Sequence, residues 1–387
     1  MASNKREYFA VSPPGLEAIV ANELAFLGIA KNQTTSGGVS FLADDRLVAR
    51  TNLWLRAASR VLLRVGRFHA THPAQLFQKT SRLPWAEVLQ PDVPLRIRVT
   101  CRKSRIYHSG AAEERIRKAI GTALGQKLST PVLDADGHSE SAFNTVVARI
   151  EKDECTLSVD SSGEHLHRRN YRLETAKAPL RENLAAAALL ACGWCPAKHF
   201  GAEPYTAFAD PMCGAGTLSI EAALIAKNIA PGLNRSFAFQ GWPGFDGSAF
   251  ETELEAAKES IHADLDIQIL ASDRDEGALA ITQRNAERAG VADHIQLRAC
   301  SLSDVELPPG PGLLLCNPPY GHRVGKSDTL RNLYAALGQF IRPRLDDWKL
   351  GLITSSEALA RYTGLRLPRQ SAPIPHGGLK IRVYQSR

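Results

Sequence analysis

From residue 205 onward, short apolar runs alternate with longer stretches of helical period. The runs are Tyr205–Ala209, Ile267–Ser272, Ile295–Ala299, Gly312–Cys316 and Trp348–Thr354, and most of them lead into Asp, Gly or Asn-Pro. Strand and helix in regular alternation predict a doubly wound, mostly parallel sheet with helices on both faces. Such sheets place their ligands beyond the carboxyl ends of the strands. The chemistry of this half is therefore sought where each run stops.

Four motifs stand at those ends. Asp210-Pro211-Met212-Cys213-Gly214-Ala215-Gly216-Thr217 follows the first run and leads into a helix over Leu218–Lys227. Gly214 and Gly216 permit a tight turn and close approach of backbone to a ligand. The loop lacks the Gly-Lys-Ser/Thr of a Walker loop and the Gly-x-Gly-x-x-Gly of a dinucleotide fold. An acid before the loop suits a cationic or amine-bearing ligand better than a pyrophosphate. Asp273 ends the second run, where an acid can accept from ribose hydroxyls. Asp275 reads as the N-cap of the next helix. Asp304 follows the third run and is read either as an acceptor for an adenine amine or as a turn former. Asn317-Pro318-Pro319-Tyr320 follows the fourth. The prolines fix the loop, the Asn317 side-chain oxygen and the Pro318 carbonyl form an acceptor pair for an exocyclic base amine, and Tyr320 can stack on an extruded base.

The N-terminal part is different in charge. Residues 1–172 carry 25 Lys+Arg and 17 Asp+Glu, a net +8, whereas residues 173–387 carry 22 and 23. A basic half beside a neutral one points to a polyanion partner for the basic half. Tyr8–Val11 reads as a strand, followed by a helix through Leu16, Val20, Leu24 and Leu27. A strand follows Gly38, then a helix over Asp45–Leu55 and an Arg-rich stretch with Arg56, Arg60, Arg64 and Arg67. A second unit holds strands Leu95–Thr100, Thr145–Ile150 and Cys155–Asp160 and a helix over Glu113–Leu128. Arg96 and Arg98 alternate with apolar residues and share a strand face. With Arg102, Lys103 and Arg105 they form a candidate phosphate-binding surface; the alternative is the solvated outer face of a strand. Gly163–Tyr171 reads as a polar linker.

No run reaches the length of a membrane span, and the start leads into no apolar signal segment. The seven cysteines are scattered and odd in number, which fits a reducing cytosol. Cys192 and Cys195 form the sole CxxC, with His199 nearby; this set falls short of a tetrahedral metal site. No metal is expected.

These residues resemble the class I S-adenosylmethionine-dependent amino methyltransferases of nucleic acids. Arg181-Glu182-Asn183-Leu184-Ala185-Ala186-Ala187 is similar to the helix before the first strand in the RNA methyltransferases that carry a THUMP domain. Gly37-Gly38-Val39-x-Phe41, Leu53-Trp54-x-Arg56-x-Ala58-x-Arg60 and His167–Arg172 resemble the N-terminal portion and connecting segment of that group. Together they most resemble the guanine-N2 methyltransferase half of the bifunctional enzymes that modify bacterial large-subunit ribosomal RNA. Ala215 stands where the group has Ser, and Asn183 where it has Thr.

The resemblance implies an α/β fold: a Rossmann-like class I methyltransferase domain with a seven-stranded, mostly parallel sheet, preceded by ferredoxin-like and THUMP domains. The implied bounds are 1–68, 69–165 and 166–387. It implies S-adenosylmethionine as cofactor, held by Asp210, Cys213, Gly214, Gly216, Thr217, Asp273, Asp304 and Asn317. The implied catalytic residues are Asn317, Pro318, Pro319 and Tyr320. The implied activity is transfer of a methyl group to guanine N2 in 23S ribosomal RNA, in the cytoplasm, with no membrane partner. A 7-methylguanine activity is not expected of this chain. Adenine-N6 methylation of RNA or DNA, guanine-N2 methylation of transfer RNA, and an inactive RNA-binding protein are the alternatives. His322 and Arg323 follow the last motif without an assigned role. The stretch from Ala230 to Phe250, with Pro231, Trp242 and Pro243, is expected to be an ordered insertion beside the site.

Overall fold

The computed structural model describes residues 5–132, 142–174, 180–194, 205–320 and 327–387. Two sheets organise these residues. The first is built from β1 (Arg6–Val11), β2 (Asn32–Thr35), β3 (Gly38–Ala43), β4 (Arg60–His69), β5 (Leu95–Arg102), β6 (Asn144–Glu151) and β7 (Glu154–Asp160), in the order β2-β3-β1-β4-β7-β6-β5. Only β5 and β6 run parallel. The strands of the first two expected units thus share one sheet, joined where β4 pairs with β7 from Leu62↔Asp160 to His69↔Glu154.

Alternation explains why this sheet has two unlike faces. Tyr8, Phe41, Val61, Leu63, Ile97, Val146, Ala148 and Leu157 are buried in one core with Val20, Leu24, Val48, Leu53, Leu76, Ile116 and Ile120 of the covering helices. The register places Arg64, Arg67, Arg96, Arg98, Arg102 and Arg149 on the opposite face. In the sequence β4 reads only as an Arg-rich stretch. Its alternation changes phase at a bulge between Arg64 and Gly66, which hides the period of two.

The second sheet comprises β8 (Ala207–Asp210), β9 (Gln268–Asp273), β10 (Gln296–Ala299), β11 (Gly312–Cys316), β12 (Trp348–Thr354), β13 (Arg369–Gln370), β14 (Ile374–His376) and β15 (Leu379–Gln385). The order is β10-β9-β8-β11-β12-β15-β13, with β14 paired to β15 off this path. The first five strands are parallel, and β15 is antiparallel to β12 and β13. All five apolar runs form strands. The three strands after Gly364 lie outside that sequence pattern. Lys380 and Arg382 alternate there with Leu379, Ile381 and Val383, a half-buried pattern unlike the earlier runs.

The expected insertion is ordered. The helix Thr217–Ala226 starts at the glycine loop and carries the chain about 15 Å from it, at 1.5 Å per residue. The segment beyond this helix docks on the N-terminal units. Gly232 N donates to Leu53 O at 2.9 Å, Phe239 N to Ser161 O at 3.0 Å and Gly244 N to Glu87 O at 3.2 Å. Phe237, Phe239, Trp242 and Phe250 are buried in the shared core. From the helix Gly247–Glu259, Glu253 accepts from Arg46 Nε at 2.6 Å and from Arg50 Nε at 2.7 Å. Burial pushes the Glu253 carboxyl up, but the two arginines together outweigh it and hold the group below its ordinary range. The expected linker is docked too. Tyr171 Oη donates to Glu221 Oε1 at 3.0 Å, and Arg169 lies 3.2 Å from the same oxygen in a buried pair.

Candidate active site

β8 is buried throughout and delivers Asp210 to its carboxyl end. There Asp210 Oδ1 accepts from Met212 N at 3.2 Å, which starts the turn. Gly214 and Gly216 then adopt φ of +55° and +79°, values that L side chains rarely take. A Cβ on Gly216 would lie 2.5 Å from Thr282 Cγ2, so glycine is required there on two grounds. A Cβ on Gly214 would meet nothing within 4 Å among the described residues, so the loop is open at that point.

The second strand locks the loop from its own end. Gly214 N donates to Asp273 Oδ2 at 3.0 Å, and Cys213 N donates to Ser272 O at 3.0 Å. Asp273 Oδ1 accepts from Asp275 N at 3.1 Å. Asp275 caps the helix Glu276–Ala289 by accepting from Gly277 N at 2.9 Å, as read from the sequence. Two residues of that helix, Thr282 and Asn285, are not among the site residues expected from the sequence. Thr282 Oγ1 donates to Gly214 O at 2.8 Å and Asn285 Nδ2 to Ala215 O at 3.1 Å, and both side chains are fully buried. Polar residues three apart on a buried helix face are the available signal.

Electrostatics single out Asp210. Burial pushes its carboxyl up to about 8; the Met212 amide opposes this weakly, and nearby Asp273 reinforces it. Cys213 and Cys316 are also buried, and burial raises both thiols, so neither is a nucleophile at neutral pH. Thr217 opens the helix after the loop and is buried.

β11 brings the last motif to the same edge of the sheet, next to β8. Asn317 Oδ1 is buried and has no hydrogen-bond partner among the described residues. A buried orphan acceptor costs about 1–3 kcal/mol, which a ligand donor recovers. Pro318 is buried, and Tyr320 is half-buried against the core with its hydroxyl pushed up to about 12 by burial. Asp210, Cys213, Gly214, Gly216, Thr217, Asp273 and Asn317 are thus gathered by adjacent strand ends. Asp304 follows β10, the parallel neighbour of β9, at the same end of the sheet. It is exposed in a short turn and accepts from Ser301 Oγ at 2.7 Å and Ser303 Oγ at 3.2 Å.

The basic residues occupy the first sheet. Arg96, Arg98 and Arg102 lie on its open face along β5. Lys103 and Arg105 fall in the turn after it, where Arg105 N donates to Asp153 Oδ1 at 2.7 Å. Cys195, His199, His322 and Arg323 lie outside the described residues. Among the described residues no cluster of three or more His, Cys, Asp or Glu could hold a metal, and no helix is long and apolar enough to cross a membrane.

Comparison with known proteins identifies the domains. Residues 169–380 match the family model for the RMKL-like methyltransferase domain. This chain belongs to that family. Residues 7–62 match the RlmL ferredoxin-like domain and residues 70–160 the THUMP domain. The chain is 38% identical over 385 residues to the ribosomal RNA large subunit methyltransferase K/L of Syntrophotalea carbinolica, covering 97% of this chain and 53% of that one. It therefore spans about half the length of that relative. A Synechocystis protein named as a candidate RNA methyltransferase is 33% identical, covering 99% of this chain and 97% of its own. A solved structure of SMU.472 complexed with SAH superposes with a TM-score of 0.85 at 30% identity, covering 99% of this chain and 98% of that one. The fold is that of the class I methyltransferases, with ferredoxin-like and THUMP domains ahead of the catalytic domain.

Proposed function

We propose that this chain transfers a methyl group from S-adenosylmethionine to the exocyclic N2 amine of a guanine in 23S ribosomal RNA. The observation that carries this reading is the orphaned, buried Asn317 Oδ1 beside the Asp210–Thr217 loop. The names of the K/L relatives and the SAH held by the similar structure support the substrate class and the cofactor.

The residues present fit the cofactor. The free space over Gly214 admits a ligand against the backbone. Asp273 keeps lone pairs for ribose hydroxyls while it holds the loop. Asp210 supplies a buried carboxyl for an amine, and Asn317 supplies an unpaired acceptor. Asp304, exposed in the turn after β10, keeps lone pairs for an adenine amine. When bound, S-adenosylmethionine supplies a methyl group already activated by its sulfonium.

The protein's part is to position the acceptor. A guanine amine is a weak nucleophile because its lone pair is delocalised into the ring. Asn317 Oδ1 and the Pro318 carbonyl, accepting its two hydrogens, orient it and favour lone-pair density on nitrogen. Pro318 and Pro319 restrict the loop, so little ordering entropy remains to be lost. Tyr320 keeps its hydroxyl protonated at neutral pH and offers its ring to the base. Arg96, Arg98 and Arg102 hold the RNA backbone. Positioning of this kind needs no strong general base.

The test is methylation of unmodified ribosomal RNA by purified protein with labelled cofactor, followed by nucleoside digestion and mass spectrometry. N2-methylguanine is expected, and Asn317→Ala should lose activity while remaining folded. N6-methyladenine, or transfer to transfer RNA alone, would overturn the guanine and ribosomal parts of the reading. Absence of cofactor binding in calorimetry would overturn it whole.

A further inference from the structure

The open face of the first sheet holds a cleft that methyl transfer does not use. It is a shallow, half-open cleft of about 80 Å³ lined by Glu7, Arg64, Gly66, Arg67 and Thr156. Arg64 and Arg67 are three residues apart, and in an unbroken strand they would point to opposite faces. The bulge between Arg64 and Gly66 inserts one residue and turns both to the same side. Gly66 is part of the device, since a Cβ there would lie 2.6 Å from Leu83 Cδ2.

Arg64 is held in place before any ligand arrives. Its guanidinium lies 4.2 Å from the centroid of Phe9, and Nη1 donates to Ser158 Oγ at 2.9 Å. Neither Arg64 nor Arg67 forms an ion pair with any described residue. Burial pulls the Arg64 guanidinium down to about 10; Glu7 opposes this, while Arg67 and Arg149 add to it by repulsion. Clustered, unpaired guanidiniums with a half-buried member are costly in the free protein. An anion seated among them offsets that cost.

We propose that this cleft seats a backbone phosphate of an RNA strand lying across the sheet from β4 to β5. The inference rests on the reading of this chain as an RNA methyltransferase and extends it to the ferredoxin-like half. Guanidinium forks match phosphate oxygens in geometry, and the Thr156 hydroxyl adds a donor. The basic face continues through Arg149 on β6, which is paired with Glu151 at 2.5 Å, to Arg98 and Arg102 on β5. At 4.7–4.9 Å between strands, β4 to β5 spans about 14 Å, room for at least two phosphates. The domain boundary at residue 69 therefore does not interrupt the track.

The test uses the full chain and a fluorescein-labelled single-stranded oligoribonucleotide, with anisotropy measured across a salt series. Arg67 is exposed, so Arg67→Glu should fold normally. It is expected to weaken RNA binding about tenfold and to make the slope of log affinity against log salt shallower by about 0.7. Glu7 is the single acid lining the cleft, and Glu7→Gln should tighten binding two- to fivefold, on the order of 0.5–1 kcal/mol. Cofactor affinity should be unchanged in both. Wild-type affinity in both variants, or weaker binding without a change of slope, overturns the proposal, the latter because it would mark a face for protein. If the wild type methylates RNA while both variants bind it normally, the cleft fails and the activity stands. If RNA is never methylated but Arg67→Glu still loses affinity and slope, the activity fails and the cleft stands.

Discussion

Asp210 is the residue whose replacement should help the free protein and harm the bound one. Its carboxyl titrates at about 8 in the folded chain, against 3.8 for an exposed aspartate. The sign follows from proton counting. Between those two values the unfolded chain has lost the proton and the folded chain keeps it. Stability therefore falls as pH rises from about 4, by about 1.4 kcal/mol per unit, and levels off above about 8. Asparagine has nearly the same shape, can accept the Met212 amide and does not titrate. Asp210→Asn should thus be more stable than wild type at pH 7 by a few kcal/mol, with the gap closing at about pH 4.

Ligand binding should run the other way. At pH 7 only about a tenth of the free protein has Asp210 ionised. An amine-bearing cofactor that needs the carboxylate must drive the proton off. Its affinity should rise nearly tenfold per pH unit up to about 8, with close to one proton released per ligand at pH 6–7. Calorimetry in two buffers of different ionisation enthalpy reads the released proton directly. Differential scanning across pH 4–9 reads the stability crossover. A flat pH dependence of S-adenosylmethionine affinity, together with parallel melting curves for wild type and Asp210→Asn, would refute the reasoning.

Other expectations are more local. Gly216→Ala forces an alanine into left-handed backbone beside Thr282 and should cost about 2–4 kcal/mol in chemical denaturation, strain and clash together. Glu253→Gln removes the charge-assisted bonds to Arg46 and Arg50. Arg46 is largely solvated and contributes little, so about 1.5–3 kcal/mol of docking between the insertion helix and the ferredoxin-like domain should go, read by limited proteolysis and melting. Because the Glu253 carboxyl lies below its ordinary range, that contribution is present at neutral pH. It disappears as pH falls below about 4, through the folded value, which acid titration of the melting curve would show. Arg98→Glu and Arg102→Glu should each weaken RNA binding and flatten its salt slope, with cofactor affinity unchanged in calorimetry.

The catalytic half is legible in the sequence because its central strands, β8, β9, β11 and β12, are buried on both faces. Leu313, Leu314 and Leu315 can be nothing but a buried strand or helix, and Asn317-Pro318 stops them at five residues. The glycine loop can be placed for the same reason. Its supports cannot: Thr282 and Asn285 reach it across 68 and 70 residues of sequence. The N-terminal half hides more. The phase change at Gly66 conceals β4, and with it the merging of two units into one sheet. The insertion is recognisable as ordered from Pro231, Trp242 and Pro243. Its docking partner depends on pairings such as Arg50 with Glu253, 203 residues apart, which no local pattern encodes.

The merged sheet also bears on how the chain is made. β4 pairs with β1 early, but its other edge waits for β7, about 90 residues later. At roughly 5–20 residues per second, that edge stays open for some 5–20 s of synthesis. An open edge is a template for pairing with another chain, and charge is the usual protection. Arg60, Arg64 and Arg67 stand on that strand. The charges that mark the finished surface are already in place on the nascent chain, where they keep a half-built sheet from joining its neighbours.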